Sequence, residues 1–135
     1  MTKLYVDTNV FLDIIKDRKN IFGVDIATPA AKMFFDAATC KFYILISKLT
    51  VEQIYRRCTY DECNTLFNII KNKIIVVGYD ANDRINTKNR SSNFEDAMHI
   101  ILAEKSNADL IITRNVEHFL QIGTHIEIKK PENLD

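Results

Sequence analysis

Apolar residues fall into short strand-length runs separated by segments of helical periodicity. Leu4-Tyr5-Val6 is the first run and ends on Asp7; Val10 to about Lys16 then follows a helical pattern. Asp17-Arg18-Lys19-Asn20 and Gly23 interrupt it and read as a loop. Thr28-Pro29 predicts a helix start, with Ala30, Met33, Phe34, Ala37 and Ala38 on one face. Phe42 to Ile46 is a continuous apolar run, as expected for a strand covered on both faces. Thr50-Val51-Glu52-Gln53 and Thr59-Tyr60-Asp61-Glu62 each match a capping box; the first predicts a helix to about Arg57, the second an apolar face of Leu66, Phe67, Ile69 and Ile70. Ile74 to Val77 predicts a third buried strand, closed by Gly78. Tyr79 to Ser92 is the most polar stretch and reads as a mobile segment with room for a short helix. Ser92-Asn93-Phe94-Glu95 is a third box, opening a helix to about Asn107. Leu110 to Thr113 predicts a fourth strand, Arg114 to Gln121 a turn and short helix, Ile126 to Ile128 an edge strand, and Pro131 a last turn.

Strands alternating with helices predict an α/β fold: a three-layer α/β/α sandwich around a mainly parallel sheet of four to five strands. The length of 135 residues predicts a single domain over 1–135.

Eighteen basic residues balance eighteen acidic ones, so bulk charge gives no argument for a nucleic-acid partner; such a partner would need a local basic patch. The three cysteines, Cys40, Cys58 and Cys63, argue against a disulfide framework and lack zinc-ligand spacing with histidines. Reduced, packed thiols in a cytoplasmic protein are the expectation. Asp7, Asp13 and Lys16 break any apolar signal core, and no apolar run is long enough to span a bilayer.

In a parallel sheet, strand C-termini and the starts of the following helices share one edge. Asp7 ends the first strand, Glu52 follows the second, and Asp96 lies in the first turn of the helix leading to the fourth, where Thr113, Arg114 and Asn115 emerge. Taken singly, each acid suits a helix start, as a cap or through the helix dipole. Together, carboxylates in one crevice repel and raise one another's pKa, which calls for a cation. Mg²⁺ or Mn²⁺ suits a few carboxylates plus waters, and such an ion serves phosphodiester hydrolysis. Lys48, Arg56, Arg90 and Arg114 are the basic residues placed to hold a phosphate chain, although each also suits a solvated surface.

Val6-Asp7-Thr8-Asn9-Val10, Ser47-x-x-Thr50-x-Glu52, Glu95-Asp96-Ala97 and Ile112-Thr113-Arg114-Asn115-Val116-x-x-Phe119 resemble, in this order, the motifs of PIN-domain ribonucleases. The resemblance implies a Mg²⁺- or Mn²⁺-dependent endoribonuclease acting on RNA. It also implies a toxin of the VapC type, a homodimer with an antitoxin protein as partner and no membrane association. Carried over to these residues, it implies Asp7, Glu52 and Asp96 as catalytic metal ligands, with Asn115 as a neutral ligand where relatives commonly have an acid. Asn9 would orient Asp7 and Thr113 would support the site. His99, one helical turn after Asp96, would face the cleft and contact substrate, as would Arg114 and Lys48. His118 stands where many relatives have Asp. The register of the second acid lies between Glu52 and Gln53; Glu52 is preferred, because Gln53 is accounted for by the Thr50 capping box and a carboxylate is the better ligand for a hard cation.

Two other classes fit less well. A phosphatase with an aspartyl nucleophile, as in haloacid dehalogenase-like proteins, wants Asp where Asn9 stands; a nucleotide-binding α/β module fits less well still, because with three glycines there is no phosphate-cradling loop after the first strand. The remaining alternative is a degenerate PIN domain that binds RNA or a protein without cutting.

Overall fold

The structure, a computed structural model, describes residues 1–16, 23, 25–39 and 41–134. The loop expected at Asp17-Arg18-Lys19-Asn20 and the packed thiol expected at Cys40 lie outside them; Cys58 and Cys63 are free thiols.

Five strands form one sheet: β1 (Thr2–Val6), β2 (Phe42–Ser47), β3 (Ile74–Val77), β4 (Leu110–Ile112) and β5 (Glu127–Lys129). Their order is β3-β2-β1-β4-β5, and every pairing is parallel. The helices are α1 (Thr8–Ile15), α2 (Ala27–Ala38), α3 (Lys48–Arg57), α4 (Tyr60–Ile70), α5 (Ala81–Arg90), α6 (Phe94–Lys105) and α7 (Val116–Ile122), with 3₁₀ turns η1 (Lys71–Lys73) and η2 (Pro131–Asn133).

The three layers follow from period-two alternation along the central strands. Leu4, Val6, Ile44, Ile46 and Ile112 face a core shared with Phe11, Met33, Phe34, Ile54 and Leu66 of α1 to α4. Tyr5, Leu45 and Ile111 face the opposite core, shared with Met98, Ile100 and Leu102 of α6 and Phe119 of α7. Burying each such large apolar side chain contributes roughly 1.5–3 kcal/mol.

Four local expectations are corrected. The 79–92 segment is ordered: Asp80 and Asp83 form a reciprocal capping box that starts α5. Strand β3 is an edge strand rather than a buried one, with Ile75 39% and Val76 56% exposed. Helix α3 is capped by Ser47, whose Oγ accepts from the Thr50 amide, so no Thr50–Gln53 box forms. Helices α2 and α6 begin behind Ile26 and Asn93, so neither Thr28 nor Ser92 is the cap; Asp25 takes the Ala27 and Thr28 amides instead. The Thr59–Glu62 box forms as expected.

Candidate active site

Strand connections run outward in both directions from β1 and β4, so these neighbours flank the point where the strand order reverses. Ligands of open α/β sheets bind beyond the strand C-termini at such a point. Asp7 follows β1 there and Thr113 follows β4.

Asp7 is 3% exposed. It occupies the N-cap position of α1, yet its side chain makes no capping hydrogen bond. Instead Thr113 Oγ1 donates to Asp7 Oδ2 at 2.8 Å, and His99 Nε2 lies 3.3 Å from Oδ1. Helix capping therefore does not account for this carboxylate. Thr113 Oγ1 also accepts the Asn115 amide at 3.1 Å, which fixes the turn after β4.

Asp96, 8% exposed in the first turn of α6, accepts from Asn93 Nδ2 at 2.9 Å, and His118 Nδ1 lies 3.6 Å away. Burial pushes its pKa up, and the negative charge of Asp7 pushes it further; Asn93, His99 and His118 offset this in part. The two carboxylates thus lie near enough for the charge of Asp7 to act on Asp96.

His99 is 2% exposed and does not reach out to a substrate. Its Nδ1 is 2.8 Å from Tyr5 Oη. A carboxylate can only accept, so Nε2 carries the proton facing Asp7 and Nδ1 accepts from the Tyr5 hydroxyl. Burial raises the pKa of Tyr5, which stays a neutral donor. Sequence reasoning missed Tyr5. Its place opposite Leu4 and Val6 on the pleat was the available signal, since it puts the ring on the face that α6 covers.

The other expected site residues part company. Glu52 is exposed on α3, beyond its first turn, and its carboxylate accepts from Tyr79 Oη at 3.0 and 3.3 Å. The adjacent Gln53 is buried, and its Oε1 accepts from Thr8 Oγ1, next to Asp7. Among the described residues, no three His, Cys, Asp or Glu side chains cluster closely enough to hold a metal ion. The structure thus brings Asp7 and Asp96 together without Glu52. Asn9 makes no hydrogen bond to Asp7 among the described residues; Thr113 and His99 hold it. Asn115 precedes α7 and lines a cleft of about 740 Å³ with His118, Lys129 and Lys130. Lys48 is exposed at the first position of α3.

Arg114 is not the open cation expected from its sequence neighbourhood. Its Nε donates to Asp13, its Nη1 to both oxygens of Glu132, and its Nη2 to the Ile26 carbonyl at 2.8 Å. It ties α1, the entry to α2 and η2 together. Arg90 is similarly engaged, with Glu104 and the Gly123 carbonyl.

Asp96, its proton affinity raised by burial and by the charge of Asp7, forms with Asp7 a pair of oxygen donors suited to a hard cation. No helix among the described residues is long and apolar enough to cross a membrane.

Comparison with known proteins bears on the fold and the family. No curated protein matches the sequence significantly. The fold is similar to a chain of the complex described as VapBC2 from Rickettsia felis bound to a DNA fragment from their promoter, with 14% identity, a TM-score of 0.66, and coverage of 96% of this chain and 98% of that one. It is also similar to a chain of FitAB bound to an IR36 DNA fragment, with 13% identity, a TM-score of 0.59, and coverage of 98% and 97%. A family model described as the PIN domain matches residues 3–117, and on that match the chain belongs to the PIN domain family.

Proposed function

We propose that this PIN domain is a Mg²⁺- or Mn²⁺-dependent endoribonuclease that acts in the cytoplasm as the toxin of a toxin–antitoxin pair. The observation that carries the reading is the Asp7 carboxylate, buried at the switch point, turned away from its own helix and paired in charge with Asp96. Asp7 and Asp96 would hold the ion. A divalent ion supplies charge neutralisation at a phosphoryl oxygen and lowers the pKa of water. Thr113 fixes one oxygen of Asp7, and the Tyr5–His99 pair fixes the other side. Asn93 sets the rotamer of Asp96. Glu52 sits on Tyr79 and takes no part as a ligand in this reading. The toxin role and an antitoxin partner draw on the likeness to chains of VapBC2 and FitAB, and the homodimeric state on the family resemblance alone.

A second reading, RNA binding without cleavage, is favoured by one observation: two carboxylates converge where the sequence promises three. One experiment separates them. Single-stranded RNA is incubated with the full chain in Mn²⁺ or in EDTA, beside Asp7→Asn. Cleavage confined to wild type with Mn²⁺ is expected. Equal cleavage by Asp7→Asn or in EDTA removes the nuclease assignment from this site, and no cleavage in Mn²⁺ leaves the binding-only reading.

A further inference from the structure

A groove of about 440 Å³ lies between α3, α5 and the start of α6, lined by Glu52, Arg56, Tyr79, Arg84, Lys88 and Phe94, among others. That volume is within the range of small-ligand sites. Three exposed cations line it against one carboxylate, in a chain whose overall charge is zero. Arg56, Arg84 and Lys88 have no carboxylate partner among the described residues, whereas Lys16, Arg90, Lys105 and Arg114 are each ion-paired. Glu52 is held by the Tyr79 hydroxyl, and the Arg84 guanidinium covers the Tyr79 ring at 5.4 Å from its centroid. Phe94 is different: it is 38% exposed, and no other ring stacks on it among the described residues. The groove lies at the same edge of the sheet as the candidate active site: Tyr79 follows the end of β3 as Asp7 follows the end of β1, and these strands run parallel through β2.

We propose that this groove is a nucleotide subsite for single-stranded RNA, taking one residue of the strand that flanks the scissile bond. Its phosphate meets Arg56, Arg84 and Lys88, and its base stacks on Phe94. Cations tracking a backbone beside an open aromatic face are the general solution for unpaired strands, because every base presents a π-face only when unstacked. The inference rests on the ribonuclease reading for its substrate but not for its test.

The test is binding without metal. Fluorescence anisotropy of a labelled single-stranded RNA oligomer is followed across a salt series in EDTA. Wild type is compared with Phe94→Ala and with the triple Arg56→Ala/Arg84→Ala/Lys88→Ala, all checked for fold by circular dichroism. Phe94→Ala is expected to weaken binding about tenfold and to leave an abasic oligomer unaffected. The triple variant is expected to flatten the log K against log salt slope by about 0.7 for each cation in contact. Duplex RNA of equal length should bind without dependence on Phe94. Variants that bind like wild type overturn the subsite, as does a wild type that binds no RNA. A polyglutamate peptide that binds as tightly, with the same dependence on Phe94, also overturns it, in favour of an acidic protein partner. Cleavage is not read, so a chain that binds this way but never cuts in Mn²⁺ leaves the subsite standing and removes only the nuclease reading.

Discussion

Replacing Arg114 with Ala separates two roles for a residue that sits beside the active-site motif. Its side chain is 15% exposed and that of its partner Asp13 is 3% exposed, while Glu132 is 41% exposed. Removing one partner of a buried ion pair costs about 3–5 kcal/mol. Asp13 keeps a further interaction, and the Glu132 arm near the surface adds only about 0–1 kcal/mol. The lower end, about 3 kcal/mol, is therefore expected. At roughly 3 °C per kcal/mol for a domain of this size, the melting temperature should drop by about 10 °C. Arg114→Lys should recover only part of this, since an ammonium cannot reproduce the fork that reaches Asp13, Glu132 and the Ile26 carbonyl together. Thermal melts in EDTA read the stability, and RNA anisotropy below the variant's melting temperature reads binding. An unchanged melting temperature with lost RNA binding would refute the reasoning and return Arg114 to the substrate.

Asp96 carries a pH signature. Its pKa is raised in the folded chain by burial and by Asp7, so its contribution is complete below the ordinary aspartate value and is lost as pH rises through the raised one. The melting temperature of metal-free wild type minus that of Asp96→Asn should thus fall over that window, and less steeply in an Asp7→Asn background; a flat difference refutes the coupling. Gln53→Ala removes an acceptor from the buried Thr8 hydroxyl and should cost about 1–2 kcal/mol in denaturant titrations, whereas Glu52→Gln should leave calorimetric Mn²⁺ affinity unchanged. A large drop in affinity with Glu52→Gln would restore Glu52 as a third ligand. Asn115→Asp adds a carboxylate at the turn that Thr113 fixes and should tighten Mn²⁺ binding; no change would place Asn115 outside the metal's reach.

Features set by neighbouring residues were legible in the sequence. The Thr59–Glu62 box needs only its own four residues, and the strand runs need only their alternation. The parallel topology then placed Asp7, Asp96 and Thr113 at one edge. Features decided by distant partners were not. Thr50-x-x-Gln53 has the spacing of a box, but Ser47 three residues earlier supplies the cap and Thr8 on another helix claims Gln53. That pairing also removes the local reason for preferring Glu52 at the site. Arg114 reads as a substrate contact because of its motif, while its partner Asp13 is 101 residues away. Ile75 and Val76 look like core, but among the described residues no strand lies beyond β3 to cover the edge. The polar 79–92 stretch hides a helix because its capping residues, Asp80 and Asp83, are the same polar residues that suggested mobility.

The strand order also bears on when the site comes into being. Strand β1 leaves the ribosome well before β4, yet β4 is one of its two neighbours, and the Thr113–Asp7 hydrogen bond spans 106 residues. Pairings between such distant segments form slowly, because loop closure must precede the contacts that reward it. A nascent chain that stops short of residue 113 has Asp7 and His99 but lacks the Thr113 hydroxyl that holds Asp7 Oδ2. Emergence of the β4 turn thus acts as a timing device: Asp7 gains its full set of partners only once residue 113 has been made.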